Sequence, residues 1–424
     1  MLNHPSSPAP VETSSVAIDA IFKAAETYSI VASEDIIDVR GIKLWSKGQA
    51  VSTALQQKLL ERKLGKPLEA CLMAEDGVTL FSLLESLEAF CTNKSPLAMG
   101  LAPWHDVLIK QIKLMPLHSV AQLLLTTGLA TRPQMIDHAV QAMALTGSMM
   151  AACKGSSVDV RIAMLAGLLH DIGEIYIQPE YLDHSGQLNL LGYKHLSVHP
   201  RIAQMLLAST TDYPSVLSRA IGEHHERLDG SGYPARAKME QISPLGRMLA
   251  ITEVALGIAR AKSAPLTRIS FALRVLPGEF DLQFAGFMSD LANGCNEVLP
   301  SDLGQSVSLT IDHIADIQGR KRIAEKTREQ LSVAKANTQC LEVVDVVQKR
   351  LQRLEVAWNA LGYWGISAAD LSSNEMMELD MAHRELAQRL RELEREAMLM
   401  TSKLPPAEQQ QLSHLLECIQ METN

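Results

Sequence analysis

His224-His225-Glu226-Arg227-Leu228-Asp229-Gly230-Ser231-Gly232-Tyr233-Pro234 sets two imidazoles and two acids directly ahead of a Gly-Ser-Gly-Tyr-Pro turn. Imidazole and carboxylate are ligands of divalent metals, and neither helix nor turn formation requires them side by side. A solvated loop is the plain alternative. It loses ground because a second packet, His170-Asp171-Ile172-Gly173, lies upstream with His138 and His199 on either side. The apolar run Ala163 to Leu169 before it reads as a core helix and places His170 at a buried position. Consecutive residues on a helix diverge by about 100°. That divergence suits metals held between helices, where one side chain ligates an ion and the next bridges.

The rest of the composition agrees with a helical setting. Hydrophobic residues make up 47% of the 424 and aromatics only 4%, and the abundant Leu, Ala and Met lose little rotamer freedom in helices. The expected fold class is all-α. A net charge of -9 argues against a nucleic acid polymer as partner. The six cysteines are scattered with no C-x-x-C pair, so neither a disulfide framework nor a zinc ribbon is expected, and a reducing cytoplasm fits. Ala139 to Cys153 is the most apolar stretch, but Gln141, Thr146, Gly147 and Ser148 interrupt it. It is too short to span a bilayer and reads as a buried helix, so no membrane association is expected.

Residues 1–15 carry Pro and Ser without a basic start or apolar run, and read as a disordered tail. Residues 16–100 form an N-terminal regulatory segment whose Ile36–Trp45 stretch alternates like a short hairpin, the one β element expected. Within it Leu55–Leu64 reads as a helix and Pro67–Met73 as a short extended piece. Residues 101–305 are a series of apolar and amphipathic helices, and 306–424 a coiled-coil-like region. There, Val344, Val347, Leu351, Leu354, Trp358 and Leu361 step by three and four, as do Leu379, Leu386, Leu390, Leu393 and Met400. An antiparallel helical hairpin and a dimerising coiled coil both satisfy that pattern. Ser372 and Glu375 make a capping box. Pro405-Pro406 opens a last helix with Leu412, Leu415, Leu416 and Ile419 on its apolar face, and Arg320-Lys321-Arg322 reads as a solvated face.

His138, the H-D-I-G of residues 170–173, His199 before Pro200 and H-H-E-R-L-D-G-S-G-Y-P together resemble the HD-GYP family of HD-superfamily phosphohydrolases, over roughly residues 104 to 300. The resemblance implies a metal-dependent phosphodiesterase of bacterial signalling that hydrolyses cyclic di-GMP or a related cyclic dinucleotide through a metal-bridging hydroxide. It implies two divalent ions, Fe or Mn. It puts His138, His170, Asp171, His199, His224 and His225 on ligand positions, Asp171 bridging, and Glu253 where the family has a last Asp. His170, Asp171 and Glu174 are then the catalytic candidates, with Glu174 in place of a substrate-facing Lys. Gln134 replaces the Glu of trinuclear members. Lys262 and Pro265 occupy the basic positions that hold the nucleotide, leaving Lys262 as a substrate-binding candidate beside Tyr233 and Arg227. Arg227 and Asp229 are close enough in sequence for a local ion pair. Diguanylate cyclase-type proteins are the implied protein partners, and a homodimer through the C-terminal helices is a further expectation. The rival reading is a sensor or scaffold that keeps the metal cage without turnover. Glu174 and Pro265 favour it; seven metal donors oppose it.

Overall fold

Apolar periodicity becomes helix along most of the chain, which a computed structural model describes over residues 15–182, 189–260, 265–295, 297, 307–333, 337–362 and 371–419. Most of the expected tail and the candidate Lys262 lie outside the described residues. The N-terminal region comprises α1 (Ser15–Ala24), β1 (Ile30–Ala32), β2 (Ile36–Ile37), β3 (Lys43–Trp45), α2 (Thr53–Glu61) and β4 (Leu72–Ala74). β2 and β3 form the expected hairpin. Asp38 Oδ1 accepts the N–H groups of Arg40 and Ile42 across its turn, and Gly41 supplies a φ of +80° there. A second antiparallel pair, β1 with β4, corrects the expectation of a single β element. Its strands are separated by the hairpin and α2, so no local pattern announces the pairing. α2 also ends at Glu61 rather than Leu64, where Arg62 turns extended. Ile21, Ile30, Ile36, Leu55, Leu68 and Leu72 bury themselves together with Leu123 from the next region.

The helical region continues with α3 (Leu80–Thr92), α4 (Pro96–Gly100), α5 (His105–Ile112), α6 (Ser119–Thr131), α7 (Gln134–Ala152), α8 (Ser157–Leu169), α9 (Leu190–Leu196), α10 (His199–Thr210), α11 (Ser215–Glu223) and α12 (Pro244–Ala259). α7 is the expected buried helix, enclosed on nearly all sides. Its long contact with α8 depends on two glycines. A Cβ on Gly167 would stand 2.5 Å from the Ala142 carbonyl oxygen, and one on Gly147 would stand 2.6 Å from Met164 Cγ. Ser156 and Asp159 form a capping box that starts α8. The helix stops at Leu169, and after Asp171 the chain tightens into a 3-10 turn, Ile172–Tyr176. Gly173 lets that turn approach the His199 carbonyl, leaving no room for a side chain.

Two compact units emerge, one within residues 1–186 and 195–257, the other within 187–194 and 258–424. The second contains α13 (Pro265–Ala272), α14 (Leu282–Gly294), α15 (Val307–Val333), α16 (Thr338–Ala360), α17 (Ser373–Thr401) and α18 (Pro406–Ile419). Val344, Val347, Leu351 and Leu354 of α16 meet Leu386, Leu390 and Leu393 of α17 and Leu412, Leu415 and Ile419 of α18 in one core. The α16–α17 stripes therefore pack within the chain, and α15 and α18 complete the bundle. The Ser372–Glu375 capping box forms. The basic run 320–322 is not wholly solvated, which corrects its reading: Arg320 is buried and donates to the Ile419 carbonyl, and Lys321 pairs with Glu355. Long cationic stems cover apolar surface while their heads find acceptors, so charge in a sequence need not mean exposure. Arg389, buried with Glu279 and Glu385, behaves likewise. No described helix is long and apolar enough to cross a membrane.

Candidate metal centre

Helix ends bring the histidines and acids together. His138 lies in the first half of α7, His170 caps α8, His199 opens α10, His224 caps α11, His225 follows it, and Glu253 lies in the second half of α12. Two groups of potential ligands result, each with its donor atoms within 4.8 Å of one another: Asp171, His199, His224 and His225, and His138, His170, Asp171 and Glu253. Asp171 belongs to both. Its Oδ2 lies 3.3 Å from His138 Nε2 and 3.2 Å from His170 Nε2, whereas Oδ1 lies 3.4 Å from His199 Nε2 and 3.5 Å from His224 Nε2.

Backbone carbonyls fix the rings. His170 Nδ1 lies 2.8 Å from Gly167 O, His199 Nδ1 2.7 Å from Leu196 O, and His224 Nδ1 2.6 Å from Ile221 O. A carbonyl only accepts, so each Nδ1 carries the proton and each Nε2 turns a lone pair inward. His199 and His224 then face one another Nε2 to Nε2 at 3.0 Å. Two acceptors at that distance repel unless a cation, either a proton or a metal, lies with them. Glu253 Oε2 points the same way: it is buried near His138 and His170 at ion-pair distance, 3.5 and 3.3 Å, yet makes no hydrogen bond. The donor set fits a divalent metal, whose charge satisfies inward lone pairs and carboxylates together.

The electrostatics follow from that crowding. Burial works against charge on every ring. At His170 it is outweighed by Asp171 and then Glu253, which hold the imidazole well above its usual range; His138 and His199 are raised in the same way, chiefly by Asp171. At His224 and His225 burial prevails and both are lowered. Asp171 stays well below the usual carboxylate range despite burial because His170 and the other imidazoles surround it. Glu253 does so through His138 and His170.

The Gly-Ser-Gly-Tyr-Pro loop is tied back to this centre. Tyr233 donates its backbone N–H to His225 O and stacks its ring on His225, with centroids 4.4 Å apart. Gly232 is needed because a Cβ there would collide with the His225 carbonyl. Glu226, which sequence reading left without a role, is buried and accepts the N–H groups of Ala235 at 2.6 Å and Ala237 at 2.9 Å, pinning the loop's exit. Asp229 caps Ser231, and Arg227 donates to the Glu226 carbonyl. Glu174 does not stand alone: Arg132, at the end of α6, pairs with it at 2.7 Å. Arg132 was missed, although it is the only Lys or Arg between Lys113 and Lys154, an isolated cation between two apolar helices.

Residues 124–265, which contain the H-D-I-G and G-Y-P elements, match the HD domain family model. Among similar proteins, the cyclic di-GMP phosphodiesterase PA4108 of Pseudomonas aeruginosa is 38% identical over 95 residues, 22% of this chain and 23% of that protein. The 3'3'-cGAMP-specific phosphodiesterase 1 of Vibrio cholerae is 35% identical over 109 residues, 26% of this chain and 25% of that protein. The cyclic di-GMP phosphodiesterase response regulator RpfG of Xanthomonas campestris is 36% identical over 100 residues, 23% and 26% respectively. The chain thus aligns with about a quarter of the length of each relative.

Proposed function

We propose that this protein is a metal-dependent phosphodiesterase acting on a cyclic dinucleotide, cyclic di-GMP or 3'3'-cGAMP. The observation that carries the reading is the division of the Asp171 carboxylate, one oxygen toward His138 and His170, the other toward His199 and His224. Such a division suits two ions sharing one bridging carboxylate, with His138, His170 and Glu253 around one and His199, His224 and His225 around the other. Fe or Mn fits a site of imidazole and carboxylate without thiolate. Bound there, divalent ions supply Lewis-acid charge and water of lowered pKa, the means by which phosphoesters are cleaved. The chain's own part is to hold the imidazole Nε2 atoms inward through their Nδ1–H bonds and to keep Tyr233 beside His225 as one wall for the substrate. The names of the similar proteins support the substrate class. Six free cysteines agree with a cytoplasmic setting. The loop carrying Tyr233 is the proposed contact for a diguanylate cyclase-type partner.

The test is turnover. Protein loaded anaerobically with Fe(II) or Mn(II) is incubated with each cyclic dinucleotide and the products are separated by chromatography. A linear dinucleotide is expected, and its absence from both reactions, beside an active control enzyme, overturns the reading.

A further inference from the structure

The 3-10 turn after Asp171 puts a charged pair at the edge of the metal centre. Glu174 N–H bonds to Asp171 O at 2.9 Å, and a turn of three residues eclipses side chains three apart, so Glu174 lies on the Asp171 side. Arg132 reaches it from the end of α6 with Nη2, which is 2.7 Å from Glu174 Oε2 and 3.6 Å from Met135 Sδ. Both side chains keep some contact with solvent, at 23% and 14% exposure. Among the described residues no acceptor meets Arg132 Nε or Nη1. The guanidinium is therefore anchored through Nη2 alone. A second anchor steadies the arrangement, since Arg132 N–H bonds to the Gly128 carbonyl at 2.7 Å.

We propose that Arg132 is the cation that meets the substrate phosphate at this centre, and that Glu174 is the positioning residue that aims it. This rests on the phosphodiester reading above. An acid on the Asp171 side would by itself repel a phosphodiester. Paired with Arg132 its charge is offset, and the guanidinium keeps Nε–H and Nη1–H, which meet no acceptor among the described residues, as charged donors for phosphate oxygens. Where a lysine on the turn would offer a point charge, this chain offers a guanidinium from the neighbouring helix. The ligand class is an anion with two accessible non-bridging oxygens, such as the diester of a cyclic dinucleotide.

Inorganic phosphate is the probe, titrated by calorimetry into metal-loaded protein, with metal content and melting temperature measured on every variant. Arg132→Gln is expected to weaken phosphate binding about tenfold at unchanged metal content. Glu174→Gln keeps the cation and is expected to bind as tightly as the parent or tighter, with a lower turnover rate because the guanidinium is no longer aimed. The double variant R132Q/E174K, which returns a cation from the turn, recovers most of the lost affinity. Arg132→Lys keeps the charge but not the Nη2 anchor to Glu174 that spares other donors, and falls between, so it decides the matter should Arg132→Gln melt early. Parental affinity in Arg132→Gln or Arg132→Lys, or no phosphate binding by the parent, overturns the inference. If phosphate binding depends on Arg132 but neither cyclic dinucleotide is cleaved, the phosphodiesterase reading falls and the anion site stands.

Discussion

Asp171 Oδ2 lies 3.2 Å from the Nε2 of His170, its neighbour in the chain. On a continued helix two consecutive side chains would diverge by about 100°. Here the side-chain tips meet although His170 keeps helical angles (φ -59°, ψ -36°); the chain leaves the helix only at Asp171 (φ -97°, ψ 7°), which leads into the 3-10 turn. The convergence gives Asp171 its place in both ligand groups.

Asp171→Asn replaces one carboxylate oxygen by an NH2, which cannot ligate and carries no charge. Metal content of anaerobically purified protein is expected to fall from about two equivalents to one or fewer, and turnover by at least about 100-fold. Elemental analysis and product chromatography check both; an unchanged metal content sinks the shared-carboxylate reading.

Removing metal should lower thermal stability. His199 and His224, whose Nε2 atoms lie 3.0 Å apart, would lose the positive charge that a bound ion supplies to their inward lone pairs. A ligand at about 100 times its dissociation constant stabilises a native state by about 2.7 kcal/mol. Chelator treatment is thus expected to depress the melting temperature by roughly 5–10 °C, read by calorimetry on matched samples. Equal melting curves would speak against tight binding.

Gly167→Ala tests the close approach of α7 and α8. Alanine favours a helix over glycine by about 1 kcal/mol, but the new Cβ stands 2.5 Å from the Ala142 carbonyl oxygen, which cannot rotate away. Overpacking of this kind costs about 1–3 kcal/mol, so a net loss is expected in the urea midpoint. Gly257→Ala on α12, with nothing within 4 Å of its Cβ, is the contrast and should stabilise or leave stability unchanged. The same sign at both positions refutes the packing argument.

Glu226→Ala leaves the Ala235 and Ala237 N–H groups without their acceptor. Ala235 is exposed and Ala237 half-buried, so water can take up the donors, and the loss is that of hydrogen bonds to a charged group, about 1.5–3 kcal/mol each. Amide hydrogen exchange over residues 231–237 is expected to rise and turnover to fall, as Tyr233 leaves the His225 ring. Glu226→Gln, which keeps one acceptor oxygen, should lie between. Parental exchange in the alanine variant shows that the loop holds without Glu226.

Sequence by itself determined the helical class and the capping box at Ser372, because periodicity and caps are local properties of the chain, and its resemblance to a family pointed to the seven candidate ligands, Asp171 among them. Even there, Glu226 was legible only as an acid; that it pins Ala235 and Ala237 depends on how the loop returns. Tertiary structure alone decided which oxygen of Asp171 faces which histidines, the pairing of β1 with β4, the burial of Arg320 and the meeting of Arg132 with Glu174. Each joins residues brought together by packing rather than by any repeat. Around the metal centre, Gly147, Gly167 and Gly173 let the backbones close to contact distance, which a side chain at any of them would prevent.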